Sequence, residues 1–170
     1  MMQSTTPTHV PFSDEMKARF ARELTKFPAD QKQSAVMACL TIVQAERGYV
    51  SRESEDEVAA YLGMAPIAVY EVTTFYNMYN QQPVGKFKIN VCTNLPCQLR
   101  DGQAALAHIC KKLGVAAGGT TADGQFTVQQ SECLGACADA PVMLVNDREM
   151  ISFMSNERID DLLDTLAQAK

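Results

Sequence analysis

One stretch of the chain decides its fold class: KFKINVCTNLPC, residues 86–97. Phe87, Ile89 and Val91 alternate with polar residues, and this period of two predicts a half-buried β-strand that ends at Cys92. Before about Gln82 the apolar residues recur at helical spacing instead. The chain therefore changes there from a helical half to a half of mixed α/β type.

The residues before this strand predict a small helical bundle. Ser13 is placed to cap a first helix that reaches Phe27, and a second helix, which follows Pro28, ends at Gly48. A third helix is predicted to begin near Ser54 and to carry a capping box with Glu57.

Two further features complete the predicted bundle. A fourth helix begins at Pro66 and runs towards TFYNMY, residues 74–79. The acidic cluster of the third helix is interpreted as a solvated first turn, which the helix dipole favours. Its members are Glu53, Glu55, Asp56 and Glu57.

The residues after the strand predict a layer of helices on a small sheet, an α/β arrangement. Asp101 is placed to cap a helix that ends at Gly114, and a strand follows around residues 126–128. A hairpin is predicted around Asp147, and Ser155 caps a last helix. The predicted domains are an N-terminal arm (residues 1–12), a helical bundle (residues 13–82) and an α/β domain (residues 83–170).

Composition narrows the function classes. The chain has 170 residues, 46% of them hydrophobic, and a net charge of −5, which predicts a folded core. It has no long basic run, which argues against nucleic acid as the main partner. No signal peptide is visible, and the most apolar stretch, residues 35–43, is too short to cross a bilayer. We therefore expect a cytoplasmic protein without direct membrane insertion.

Four of the six cysteines form two tight pairs, Cys92/Cys97 and Cys133/Cys137. Paired thiolates are typical ligands of a 2Fe-2S cluster or of structural zinc, and separations of four and three residues leave both metals open. Disulfides are disfavoured in a reducing compartment. The chain has no Cys-x-x-Cys, which excludes a thioredoxin-type redox dithiol.

The remaining candidates for chemistry predict ordinary roles. Cys39 and Cys110 lie on apolar helix faces and are expected in the core. His9 falls in the arm, and His108 is expected to face solvent without a metal or catalytic partner. A glycine-rich nucleotide loop, a Ser/His/Asp set and a nicotinamide fingerprint are missing from the sequence, so no residue is assigned a catalytic role.

Together these motifs resemble a known family. CTNLPC and ECLGACADAP, with 35 residues between Cys97 and Cys133, resemble the thioredoxin-like 2Fe-2S ferredoxins. GYVS (residues 48–51) and VYEVTTFYNMY (residues 69–79) narrow the resemblance to the E-type subunits of bacterial respiratory complex I, the NADH:quinone oxidoreductase. The resemblance implies a thioredoxin-like domain preceded by a helical bundle, with Cys92, Cys97, Cys133 and Cys137 as the ligands of one 2Fe-2S cluster.

The resemblance also implies partners. FMN and NADH would bind to a partner, the F-type flavoprotein subunit, with the iron–sulfur G-type subunit nearby, in the peripheral arm on the cytoplasmic face of the membrane. The cluster would exchange single electrons with FMN. The equivalent subunits of NAD-linked hydrogenases and formate dehydrogenases fit the same motifs. A stand-alone ferredoxin shuttle and a zinc-stabilised interaction module are the alternatives from other classes.

Overall fold

The computed structural model of the chain describes residues 11–169, which form two compact units that meet in sequence between Pro83 and Val84. Each unit has a hydrophobic core of its own. None of the helices in the described residues combines the length and apolarity that a membrane crossing requires.

The first unit consists of helices. Ser13 accepts a hydrogen bond from the backbone of Met16 and so caps the first helix, as predicted. Gly48 ends the second helix in the left-handed conformation, also as predicted. The elements are α1 (Asp14–Leu24), a 3-10 turn (Lys32–Ala35), α2 (Val36–Arg47), α3 (Arg52–Leu62) and α4 (Pro66–Phe75).

Aromatic packing extends this core to the N-terminal edge of the described residues. Phe12 is buried, and its ring lies 5.1 Å from that of Phe20, which in turn contacts Tyr61. Most of the predicted arm, residues 1–10 with His9, lies outside the described residues. Its last residue, Phe12, belongs to the core rather than to an arm.

The start of α3 differs from the prediction. Ser51, not Ser54, is the N-cap, and its side chain accepts a hydrogen bond from the backbone of Ser54. Glu55 lies on the buried face of α3, so the prediction of a fully solvated acidic turn was wrong for this residue. The buried Glu55 carboxylate accepts hydrogen bonds from Thr73 and Arg52. It therefore joins α3 to α4, because a buried carboxylate needs such donors.

Glu55→Ala is expected to lower the free energy of unfolding by about 2 kcal/mol, because a buried network loses its central acceptor. Asp56→Ala changes an exposed residue of the same helix and should stay within about 0.5 kcal/mol of the parent. Urea unfolding followed by circular dichroism measures both variants. Equal effects of the two substitutions would contradict a structural role for Glu55.

The second unit is a four-stranded sheet with helices, in the strand order β2-β1-β3-β4. β1 pairs parallel with β2 and antiparallel with β3, and β3 pairs antiparallel with β4. The order of strands and longer helices agrees with the prediction, including the hairpin around Asp147 and the Ser155 cap. The elements are β1 (Phe87–Cys92), α5 (Leu95–Gln98), α6 (Gly102–Leu113), β2 (Phe126–Ser131), a 3-10 turn (Cys137–Asp139), β3 (Met143–Val145), β4 (Glu149–Ile151) and α7 (Asn156–Gln168).

Strand β1 is buried on both faces, which corrects the expectation of a half-buried strand. Lys88 and Asn90 are 2% and 3% exposed. Asp147, in the turn between β3 and β4, forms an ion pair with Lys88 at 2.6 Å and accepts a hydrogen bond from Asn90 at 2.8 Å. The polar side chains of β1 therefore find their partner in a turn that lies 57 residues or more away in sequence. The alternation of polar and apolar residues along the strand cannot show this.

His108, which is predicted to face solvent without a metal or catalytic partner, is partly exposed and has a structural partner on the last helix. Its Nε2 lies 2.8 Å from a carboxylate oxygen of Asp160, which joins α6 to α7. Lys112 forms a second contact with Asp160 at 3.1 Å. The hydrogen bond with His108, followed by that with Lys112, lowers the pKa of Asp160 below its usual value.

This lowered pKa predicts how the stability of the fold changes at acidic pH. The contribution of Asp160 is present above the ordinary pKa of aspartate and is lost as the pH falls through the lower pKa of the folded state. Asp160→Asn should therefore lower the melting temperature at pH 6 and leave it unchanged relative to the parent near pH 2. Thermal unfolding across this range tests the prediction, with Asp161→Asn as the exposed control. A difference that persists undiminished at pH 2 would contradict it.

Candidate functional site

The parallel pairing of β1 and β2 brings the two cysteine loops to one edge of the sheet. Cys92, the last residue of β1, is in register with Ser131, the last residue of β2. Cys133 follows two residues later. Because parallel strands end on the same side of a sheet, the loops Cys92–Cys97 and Cys133–Cys137 both begin at the carboxyl edge.

The first thiol pair is buried. Cys92 and Cys97 are 2% and 1% exposed, and the Cys92 thiol lies close enough to Cys97 to raise the pKa of Cys97. Cys97 lies on the short helix α5, and the nearby backbone of Val142 acts to lower the pKa of its thiol. Val142 in turn accepts from the backbone of Cys92 at 3.1 Å. Two backbone segments thus fix this pair.

The second thiol pair is exposed and lies in a loop of small residues. The thiol of Cys133 lies close enough to Cys137 to raise the pKa of Cys137. Gly135 has a φ of +78°, a conformation that glycine adopts without strain, and its backbone N–H donates to the Cys133 sulfur at 3.4 Å. A main-chain donor therefore points at sulfur, as an electron-rich thiolate requires.

Electrostatic coupling links the two pairs. Burial raises the pKa of Cys97, and the hydrogen bond with Cys92 raises it further, while the Val142 N–H opposes the shift. The hydrogen bond with Cys133 and then partial burial raise the pKa of Cys137, with Coulombic contributions from Cys133 and Cys92. Both pairs thus lie close enough for their charges to repel, and bound cations would relieve this repulsion.

The donor set fits a binuclear group. All six cysteines are free thiols. Within residues 11–169, no three side chains of His, Cys, Asp or Glu gather as a site for a single metal ion. Two thiol pairs with backbone donors match the need of a 2Fe-2S cluster, in which each of the two irons takes two protein ligands.

Gly102 allows α6 to begin against the first cysteine loop. A Cβ atom at this position would lie 2.7 Å from the carbonyl oxygen of Cys92 and 2.8 Å from that of Cys97. The sequence correctly placed Asp101 at the N-cap of this helix. Its side chain, however, makes no capping hydrogen bond, since its backbone takes the left-handed conformation with a φ of +67°.

Sequence reasoning missed the polar residues that join the two loops. Asn94 donates a hydrogen bond to Glu132 at 2.9 Å, and Gln130 donates one to Thr93 at 2.8 Å. Each lies within or next to a cysteine motif, but only the register of β1 with β2 shows which residues meet.

The other two cysteines lie away from this edge. Cys39 is fully buried in the core of the helical unit, and burial, followed by the charge of Glu23, raises its pKa to about 12. Cys110 is partly buried against the core of the second unit, and burial raises its pKa as well. Both therefore behave as core thiols, as the sequence indicated.

Comparisons with known proteins agree with this geometry. Residues 20–167 match the family model described as thioredoxin-like 2Fe-2S ferredoxin. An E-type subunit of the NADH-quinone oxidoreductase of Rhizobium meliloti is 38% identical over 157 residues, which cover 92% of this chain and 89% of the relative. Mitochondrial NADH dehydrogenase (ubiquinone) flavoprotein 2 of Dictyostelium discoideum is 37% identical over 166 residues, which cover 95% of this chain but 66% of the relative.

A solved structure shares the fold. A crystal structure of an NAD+-reducing NiFe-hydrogenase in the H2-reduced state has a TM-score of 0.66 and 23% sequence identity, over 80% of this chain and 23% of that one. At this identity the likeness concerns the fold alone.

Proposed function

Because this chain belongs to the thioredoxin-like 2Fe-2S ferredoxin family, we propose that it is the electron-transfer subunit of the NADH-oxidising module of a respiratory NADH:quinone oxidoreductase. The relatives that are subunits of this oxidoreductase support the assignment. The family also confirms the predicted fold class, a thioredoxin-like domain that follows a helical bundle. The match to a family of 2Fe-2S proteins favours an iron–sulfur cluster over the zinc alternative.

The observation that carries the proposal is the meeting of two thiol pairs at one sheet edge. We propose that Cys92, Cys97, Cys133 and Cys137 hold one 2Fe-2S cluster. When bound, this cluster supplies the acceptance and return of one electron at a time. The backbone N–H of Gly135 donates a hydrogen bond to the Cys133 sulfur, and the backbone of Val142 lies where it favours the thiolate form of Cys97. Such bonds stabilise negative charge on sulfur and raise the reduction potential.

The two pairs differ in access, and this difference indicates how the subunit is used. Cys92 and Cys97 are buried in a small cluster with Ala140 and Val142, whereas Cys133 and Cys137 are exposed. An electron partner therefore approaches from the side of the Cys133–Cys137 loop. The buried pair anchors the group, since a rigid scaffold keeps its ligands in place.

We propose that the hydride chemistry belongs to a partner. FMN and NADH would bind to the F-type flavoprotein subunit, with the iron–sulfur G-type subunit adjacent, in the cytoplasmic peripheral arm of the complex. The relatives' names associate them with NADH oxidation, and no nucleotide-binding loop is visible in this sequence. The equivalent subunit of an NAD-linked hydrogenase is less well supported, since the likeness to that enzyme is one of fold.

Metal and sulfide analysis of the anaerobically purified chain tests the proposal. Two irons and two acid-labile sulfides per chain are expected, with an S = 1/2 EPR spectrum that appears only on reduction by dithionite. Co-purification with a flavoprotein subunit then tests the partner. Zinc without sulfide, in a colourless protein that gains no cluster on reconstitution, would contradict the electron-transfer function.

A further inference from the structure

A side-chain hydrogen bond ties the two cysteine loops together beyond the ends of their strands. Nδ2 of Asn94 donates to Oε2 of Glu132 at 2.9 Å. Asn94 lies between Cys92 and Cys97, and Glu132 directly precedes Cys133. The bond therefore links one residue of each loop across the edge where the thiols meet. We call these two residues the loop clamp.

The side chain of Asn94 makes this bond instead of a local one. Asn94 is the N-cap of α5, with φ −67° and ψ 162°, and asparagine is among the residues that cap helices best. Even so, the side chain makes no capping hydrogen bond. Its amide reaches the neighbouring loop, so the geometry favours a link between the loops over stabilisation of the four-residue helix.

Beyond the ends of β1 and β2, side chains link the two cysteine loops. β1 ends at Cys92 and β2 at Ser131. The backbone N–H of Thr93 still donates to Ser131 at 3.2 Å, and Gln130 donates to the Thr93 hydroxyl at 2.8 Å. Asn94 and Glu132 come next outward along the two diverging segments. They directly follow Thr93 and Ser131, the last residues joined by a backbone hydrogen bond, and Glu132 is adjacent in sequence to the exposed Cys133.

From this placement we infer that Asn94 and Glu132 are positioning residues that hold the two thiol pairs at the separation a shared cluster needs. The inference rests on the proposed function, in which these thiols bind one group. The clamp acts through the cysteines and does not touch iron itself. Without it the Cys133–Cys137 loop is held against the buried pair by fewer contacts, chiefly the packing of Leu134 and Ala136. Iron would then be more accessible to chelators from the exposed side.

A double-mutant cycle on the full chain, purified anaerobically with its cluster, tests the clamp. The variants are Asn94→Ala, Glu132→Ala and the combination of both. The readouts are the rate at which EDTA bleaches the visible absorption, the EPR line shape of the reduced protein, and the urea midpoint of the apoprotein. Glu132→Gln keeps an acceptor oxygen for Asn94 and removes only the charge. Asp123→Ala, which removes a similar exposed hydrogen bond with Thr121, is the matched control.

We expect each alanine variant to lose its cluster about fivefold faster than the parent, which is within the range of one modest hydrogen bond. The double variant should lose it no faster than either single one, because both substitutions break the same bond. The EPR line shape should change in all three while the apoprotein midpoint stays constant. Glu132→Gln and Asp123→Ala should behave like the parent.

Three results would overturn the inference while leaving the proposed function intact. These are parent-like cluster loss in both alanine variants, additive effects in the double variant, and a Glu132→Gln rate equal to that of Glu132→Ala. A parent protein that contains no iron and sulfide would instead overturn the proposed function and the clamp with it.

Discussion

Cys133→Ser is expected to remove the visible absorption of the protein and the EPR spectrum of its reduced form. A serine hydroxyl is a harder donor than a thiolate and stays protonated near neutral pH, so it binds iron more weakly. Even the loss of residues behind the ligands lowers metal affinity by about 10–100-fold, so the loss of a ligand should exceed tenfold. Iron and sulfide analysis with visible spectroscopy measures the effect. The exposed position of Cys133 means that the fold should survive the substitution.

Cys110→Ser provides the matched control for this result. Cys110 lies in the same unit, on α6, but packs against the hydrophobic core and not at the sheet edge. This variant should keep the iron and sulfide content of the parent. Circular dichroism of both variants should show unchanged helix content. Normal absorption in Cys133→Ser, or equal loss in Cys110→Ser, would contradict the assignment of the ligands.

Gly102→Ala is expected to destabilise the second unit and to disturb the first cysteine loop. Alanine normally favours a helix over glycine by about 1 kcal/mol. Here the added methyl would lie under 3 Å from two backbone carbonyl oxygens, and backbone atoms cannot yield as a flexible side chain does. Overpacking of this kind costs about 1–3 kcal/mol, so the steric effect outweighs the propensity. Urea unfolding and the cluster content of the purified protein measure the two consequences.

Gly114→Ala, at the other end of the same helix, separates the two causes. Gly114 has a φ of +67°, and a Cβ there would meet nothing within 4 Å. Its substitution should cost about 1 kcal/mol through backbone strain alone and leave the cluster content unchanged. Cluster loss in Gly102→Ala but not in Gly114→Ala is the expected result. Equal cluster content in both would show that contact between α6 and the first loop does not matter for the site.

The two cysteine pairs depend on different interactions, and this difference predicts how substitutions near each pair will act. The buried pair depends on packing, through Gly102 and the backbone of Val142. The exposed pair depends on hydrogen bonds within and between the loops. Substitutions at the first pair should therefore affect protein stability and cluster content together, whereas those at the second should affect cluster content alone.

The sequence alone determined the elements and the candidate ligands. Periodicity indicated the helices and strands, and Ser13, Gly48, Gly114 and Ser155 marked helix ends because capping acts over a few neighbouring residues. The four cysteines could also be recognised from short stretches of sequence, by their spacing and by the residues next to them. Through the resemblance, they led to the family that the comparisons show.

The tertiary structure decided which residues contact each other although they are distant in the sequence. Glu55 and Lys88 look solvated in the sequence, yet partners on other elements bury and satisfy them. The register of β1 with β2 joins Asn94 to Glu132, 38 residues apart, and brings both thiol pairs to one edge. Burial and strand register depend on the packing of whole elements, and short-range patterns in the sequence do not specify them.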